Sequence, residues 1–409
     1  MAVPKLRFKE FGGALKQDKL VNFTYWSSGG TPSKDNEEYW NGDIPLISGA
    51  SMHTNKLYES DVKITKLGLQ KGSKLAPTNS ILILVRGSML FNKIPMGITL
   101  CDVAFNQDVK CIQPKEQLSP NFLYQWLSAK ENVIQNKVTS TGIGAGKLDT
   151  SDLQNLQISI PSKQEQTKIA SFLSAVDEKI SQLTQKHELL SQYKQGMMQK
   201  LFSQQIRFKA DDGSEFGEWE EKLIKDIADV KGGKRIPKGY PLVNENTGHP
   251  YITVSDMNRS YSIDSTNIRY VPLEVVDTIK RYTITDKDIF ISVAGTLGII
   301  GKIPTEFNGA NLTENADKLT NLKCHQDFLI YLLDSGYLSE LIESTATTSA
   351  QPKLALYAIE QLEVQIPCPE EQTKIANFLS AIDQKIEVVA QQIEQAKTWK
   401  KGLLQQMFI

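Results

Sequence analysis

Apolar positions follow two rhythms along this chain. Between residues 161 and 205 they recur at steps of three, four or their sum: Ile169, Leu173, Val176, Ile180, Leu183, Leu190, Met197 and Leu201. The same rhythm returns at Ile375, Leu379, Ile382, Ile386, Val389 and Ile393 and, after a step of ten, at Leu403 and Met407. Such spacing paints one stripe down a long helix, and it predicts a coiled-coil seam with polar interruptions at His187, Lys194 and Lys400. Elsewhere the apolar runs are short. "SILILVRG" at 80–87 and "DIFISVAG" at 288–295 read as strands, "PNFLYQWLSA" at 120–129 and "DFLIYLLDSG" at 327–336 as helices, so the remainder is mixed α/β.

The two helical stretches are copies of each other. "PSKQEQTKIASFLSAVDEKI" from Pro161 recurs as "PCPEEQTKIANFLSAIDQKI" from Pro367, an offset of 206 that holds without a gap, with 20 identities over 43 positions. The correspondence runs backward through Leu156 and Leu362 to Lys147-Leu148 and Lys353-Leu354, and more loosely pairs "GGTPSK" at 29–34 with "GGKRIPK" at 232–238 and "IPLISGASM" at 44–52 with "HPYITVSDM" at 249–257. The chain is therefore written twice: a variable domain at 1–160, a constant helix at 161–205, a second variable domain at 206–366 and a second constant helix at 367–409.

Each constant segment opens as a helix should. Ser162 with Glu165 makes a capping-box pattern, and the copy carries Pro369 at the first helical position and Glu371 in the first turn. About 40 residues at 1.5 Å each give a rod of about 60 Å, too long to bury its own stripe, and the other copy is the natural partner. Parallel pairing would set Lys194 against Lys400 and would make the second variable domain bridge about 60 Å between its ends. Antiparallel pairing removes both difficulties. The expected fold is thus α+β: two mixed α/β domains separated by two long helices that form an antiparallel coiled coil. Gly196 and Gly402 fall at equivalent places inside the helices and call for close approach of another backbone or a local break.

Composition narrows the function classes. Hydrophobic residues at 40% and charged residues at 23% are ordinary for a globular protein, and 409 residues suggest more than one domain. The longest apolar stretch, "IFISVAGTLGII" at 289–300, is too short to span a membrane, and "MAVPKLRFKEF" has no apolar core of a secretory signal, so a cytoplasmic location is expected. Cys101, Cys111, Cys324, Cys368 and the four histidines are scattered without metal-ligand spacing, so no metal site is expected. The net charge of −1 is uneven: residues 1–160 carry +4 and residues 206–360 carry −6. A chain that gripped nucleic acid alone would be clearly basic.

One loop imitates a phosphate cradle. In "TGIGAGKL" at 141–148, Thr141 stands where a phosphate loop needs its first glycine and Leu148 where it needs a hydroxyl. Its counterpart "TTSAQPKL" at 347–354 replaces Gly146 by Pro352, which removes the cradle but keeps the lysine. Both read as equivalent surface turns, open to a nucleic-acid backbone or simply to solvent. "DEK" at 177–179 and "DQK" at 383–385 mimic a nuclease motif without its upstream Pro-Asp and read as solvated helix charges.

The two "EQTKIA.FLS.(V/I)D.KI" helices after "IP", with "GGTPS....YWNGDIPLIS" at 29–48, resemble the specificity subunit of type I restriction-modification systems over the whole chain. The resemblance implies a non-catalytic role in which each target recognition domain reads one half of a split, asymmetric site in double-stranded DNA and the helices set the spacer. It also implies two modification subunits that methylate adenine and restriction subunits that translocate and cleave DNA. S-adenosylmethionine, ATP and Mg would sit on those partners, with no cofactor on this chain. No methyltransferase tetrapeptide of the Asn-Pro-Pro-Phe kind occurs.

Base reading calls for Arg, Lys, Asn and Gln on loops. The candidates are Lys34, Arg86, Lys93 and Lys147 in the first domain, and Lys231, Lys234, Arg235, Lys238, Arg259, Arg269, Arg281 and Lys353 in the second. "KGGKRIPKG" is the densest stretch, its glycines suited to close backbone approach, and Arg86 beside Gly87 is the sharpest choice in an arginine-poor first domain. Two rivals stand beside this reading: a coiled-coil scaffold or adaptor without DNA specificity, favoured by the neutral charge, and an enzyme using the glycine-rich loop.

Overall fold

The structure, a computed structural model, describes residues 4–141, 144–346 and 353–408. Two helices dominate it, Lys163–Phe202 and Pro369–Met407. The chain divides into two compact units, the first comprising residues 1–184 and 391–409 and the second residues 185–390, so each long helix contributes one part to each unit.

In the first unit a five-stranded sheet runs in the order Thr24–Ser28, Val109–Pro114, Ile81–Leu84, Met96–Thr99, Lys56–Leu57. A four-stranded sheet follows the order Lys63–Ile64, Trp40–Ile47, Val103–Phe105, Lys74–Ala76. Strand Ile81–Leu84 is buried at every residue, which is why it reads as a continuous apolar run rather than an alternating one. Helix Pro120–Ala129 presents Phe122, Leu123, Trp126 and Leu127 to the same core, and Ile169, Leu173 and Val176 of the first long helix meet them there.

The second unit repeats the plan. Its sheets run Asp229–Gly232, Ala316–Thr320, Ile289–Ser292, Ile300–Gly301 and Arg269–Tyr270, Pro250–Ile252, Ala310–Leu312, Thr283–Ile284. Helix Gln326–Leu332 takes the place of Pro120–Ala129, and its core includes Phe328, Leu329, Leu332, Ile375, Leu379 and Ile382. Each unit also has a short antiparallel ribbon: Lys16–Lys19 with Gln157–Ile160, and Glu220–Leu223 with Glu363–Ile366.

The long helices run antiparallel. In the first unit the early part of one helix meets the late part of the other, with Asp177 Oδ1 2.5 Å from Lys400 Nζ and the Phe172 and Trp399 rings edge to face. In the second unit Lys194 Nζ reaches Asp383 Oδ1 at 2.6 Å. Along the seam Ile169, Leu173, Val176, Leu183, Ile375, Leu379, Ile382, Val389 and Ile393 are buried, while Ile180, Leu190 and Ile386 are half-buried. Two expectations fail here. Asp177 and Asp383 are not solvated helix charges, because each accepts an ion pair from the lysine that interrupts the opposite stripe. Nor do Gly196 and Gly402 mark a close approach or a break: both lie within continuous helix with open space where a Cβ would stand, and nothing in the structure explains them.

Candidate nucleic-acid interface

The repeated helix starts are anchors. Glu165 and Glu371 are almost fully buried, and each takes a two-point ion pair from an arginine far away in sequence. Arg7 donates through Nε and Nη2 to Glu165 at 2.6 and 2.7 Å, and Arg207 donates likewise to Glu371 at 3.1 and 2.7 Å. The next residue pins the helix to the unit beside it. Gln166 accepts from the Ser119 backbone N–H at 2.8 Å and donates to the carbonyls of Gln117 and Pro161, while Gln372 accepts from the His325 N–H at 2.8 Å and donates to that of Pro367. Ser162 caps the Glu165 N–H at 3.4 Å, but the reciprocal half of the expected capping box is missing because the Glu165 carboxylate serves Arg7 instead. Burying a carboxylate is tolerable only with such a partner.

Sequence reasoning missed the two arginines. The signal was present as "LRFK" at 6–9 and "IRFK" at 206–209. The surroundings match as well: Leu6 N–H donates to Gln406 O and Ile206 N–H to Lys200 O, and Phe8 packs on Phe172 as Phe208 packs on Phe378. The segment after the first helix thus has its equivalent at the other end of the chain, where residues 6–8 adjoin the end of the second helix.

A second pair of matched sites lies further along the helices. Asp177 accepts from Gln125 Nε2 at 2.8 Å as well as from Lys400. Asp383 accepts from the Tyr331 hydroxyl at 2.6 Å as well as from Lys194, whose ammonium also lies over the Tyr261 and Tyr331 rings. Burial, reinforced by Asp334 and Asp383, drives both tyrosine hydroxyls well above their usual range, so they act here as donors.

The predicted reading residues fall in several places. Lys34, Lys93, Lys238, Arg269 and Arg281 are exposed on the two units. Arg86 is exposed on a two-residue strand whose cross-strand partner is Lys147, so the fold brings these two together. Lys147 also pairs with Asp149 at 2.7 Å, Lys231 lies 3.4 Å from Asp229, and Arg235 is ion-paired with Glu314. The Lys234 ammonium rests over the Tyr282 ring at 5.6 Å. Lys353 is exposed close to Asp317. Arg259 belongs elsewhere, lining a groove of about 840 Å³ beside the helices with Ser191, Lys194 and Asp383.

Close backbone approach at the glycines has an internal cause. A Cβ on Gly29 would stand 2.1 Å from Phe105 O, and one on Gly233 would stand 2.0 Å from Thr313 O. These glycines let the strand end press against its own unit. The next residue continues the equivalence, since Gly30 N–H donates to Phe105 O and Lys234 N–H to Leu312 O. Gly29 therefore matches Gly233, one residue away from the alignment that "GGTPSK" and "GGKRIPK" suggest.

Gly146 is explained in the same way. A Cβ there would meet Leu90 Cβ at 2.9 Å and Gly87 O at 3.1 Å, so the glycine serves strand packing. Residues 142–143 of this loop, and 347–352 of its counterpart with Pro352, lie outside the described residues.

The shared plan invites comparison with known proteins. The chain matches the type I restriction modification DNA specificity domain twice, over residues 18–192 and 217–398. It belongs to that family, whose members supply DNA specificity rather than catalysis. Among relatives, it is 25% identical over 413 residues to the type I restriction enzyme MjaVIII specificity subunit of Methanocaldococcus jannaschii, covering 97% of this chain and 94% of that one. It is 32% identical over 182 residues to the EcoR124I/EcoR124II specificity subunit of Escherichia coli, a match that covers 44% of this chain and 45% of the relative. Its fold is similar to the crystal structure of a type I restriction-modification S subunit from M. genitalium, with a TM-score of 0.63 at 19% identity and coverage of 100% and 99%. A structure described for complex assembly and conformational transition of the type I R-M system aligns with a TM-score of 0.55 at 14% identity, covering 96% and 97%. The scaffold rival is set aside by this membership.

Proposed function

We propose that this chain is the sequence-reading component of a type I restriction-modification complex, with each unit reading one half of a bipartite, asymmetric site in double-stranded DNA. The antiparallel helices set the spacer between the halves and seat two modification subunits, with restriction subunits joining the assembly. S-adenosylmethionine, ATP and Mg belong to those partners. The complex works in the cytoplasm, in keeping with the finding that no helix among the described residues is long and apolar enough to cross a membrane.

The observation that carries this reading is the contrast between the two copies. The buried anchors Glu165-Gln166 and Glu371-Gln372 and the Asp-Lys pairs are kept, while the exposed surface residues differ. A pair of readers that share a frame and differ in surface suits a target with two unlike halves. The −6 charge of residues 206–360 argues for phosphate contacts supplied by partner subunits, since neutralising phosphates dominates affinity. The boundaries 1–160, 161–205, 206–366 and 367–409 serve as working limits for domain exchange.

The test is selection of bound sequences from a random duplex pool by the chain assembled with its modification subunits. One split motif with unlike halves is expected. Enrichment of no motif would refute the reading of a bipartite site.

A further inference from the structure

The duplication allows the surfaces of the two units to be compared position by position. Lys110 pairs across its strands with Ser28 and Ile83, and Asp317 occupies the same node opposite Gly232 and Ile291. Val85 O accepts from Leu148 N–H as Val293 O accepts from Leu354 N–H, which makes Ala294 the equivalent of Arg86. The Lys74–Phe105 pairing has its match in the bond from Leu312 N–H to Tyr282 O, so Tyr282 replaces Lys74. Even the neighbouring loop clasp changes character: Thr31 donates to Gln107 at 2.7 Å in one unit, and Arg235 is ion-paired with Glu314 in the other.

In the first unit these positions hold three cations. Arg86 and Lys74 are exposed, Lys110 is half-buried with its ammonium 2.5 Å from Ser28 Oγ, and no ion pair joins any of the three to a carboxylate among the described residues. Burial, then repulsion from Arg86 and Lys74, lowers the Lys110 pKa. The fold does not require this arrangement, because the second unit builds the same strand nodes with tyrosine, alanine and aspartate. Cations gathered without a counter-charge on a surface that varies between copies point to a ligand rich in hydrogen-bond acceptors.

We propose that Lys74, Arg86 and Lys110 are the base-reading cluster of the first unit and take the O6/N7 edge of a guanine in the major groove. The equivalent trio Tyr282, Ala294 and Asp317 puts no cation at those three strand positions of the second unit. The proposal rests on the DNA-reading function proposed above and adds which residues read and which base they select. Arginine and lysine donors match the two acceptors of guanine, and no other base offers both at that edge.

The test uses the full chain assembled with its modification subunits and maps methylated adenines across a genome. Arg86→Gln and Lys110→Met should each relax one guanine position, in one half of the motif only, with discrimination falling roughly 5- to 150-fold. A motif unchanged in every position, a weakening equal for all sequences as phosphate contacts would give, or relaxation at a base other than guanine overturns the cluster as a guanine reader. In each of those cases the native complex still yields a split motif, whereas a native complex that yields none refutes the DNA-reading function itself. Lys110→Met keeps the aliphatic stem and Arg86 is exposed, so both variants should fold; Lys74→Gln replaces either one that fails to assemble.

Discussion

Replacing Arg207 by methionine should cut the second long helix loose from its unit. The guanidinium spans Glu371 Oε1 at 3.1 Å and Oε2 at 2.7 Å and also donates to the Gly217 carbonyl at 2.6 Å. Glu371 has a side chain 0% exposed, against 19% for Arg207. Once the arginine is gone the carboxylate keeps, among the described residues, only the indole N–H of Trp219, at 3.2 Å, in a site that water does not reach. Leaving a buried charge without its partner costs about 3–5 kcal/mol, while the pair itself is worth far less against a neutral isostere. Arg207→Met alone should therefore lose about 3–5 kcal/mol, and Arg207→Met with Glu371→Gln should recover about half of it, because the neutral amide no longer demands a cation. Urea unfolding measures both, and hydrogen exchange over residues 316–333 locates the loss in the second unit. Arg7→Met should behave alike in the first unit, where the Glu165 side chain is only 3% exposed. A single-variant loss below about 1 kcal/mol, or a double variant whose cost is the simple sum of the two, would refute the claim that the arginine exists to hold a buried carboxylate.

Two further outcomes follow from the same structure. Gly196→Ala and Gly402→Ala meet open space inside continuous helix, so each should raise stability by about 0.5–1 kcal/mol in urea titrations, and a loss would reveal a backbone demand at these positions. Burial pushes the Asp317 carboxyl up to about 6, against an opposing pull from Lys353. Its folded pKa thus exceeds its unfolded one, so the stability it contributes is present below about pH 4 and lost as the pH rises through about 6. Asp317→Asn should stabilise the second unit at pH 7.5 by roughly 1–2 kcal/mol after solvent screening and have no such advantage at pH 4; thermal melts at the two pH values decide it.

Much of this protein was already legible in its residues. Local periodicity dictates the long helices, since apolar positions three and four apart lie on one face whatever surrounds them, and self-similarity at offset 206 dictates that the chain is double. The like charges at Lys194 and Lys400 excluded parallel pairing because repulsion across a seam depends only on register.

Partnership at long range was decided by the tertiary structure alone. Glu165 reads as an N-terminal cap until Arg7, 158 residues away, is seen to claim its carboxylate. Asp177 and Asp383 read as solvated until the opposing lysines close on them. Gly233 reads as room for close approach of an outside backbone until the carbonyl of Thr313 is seen to fill that room. The contrast between Lys110 and Asp317 is likewise invisible in a linear alignment, because equivalence on a sheet is set by hydrogen-bond register between strands distant in sequence, and a shift of one residue turns each side chain to the other face. Sequence supplied the frame and its repetition; only folding revealed which charges the frame consumes and which it leaves on the surface.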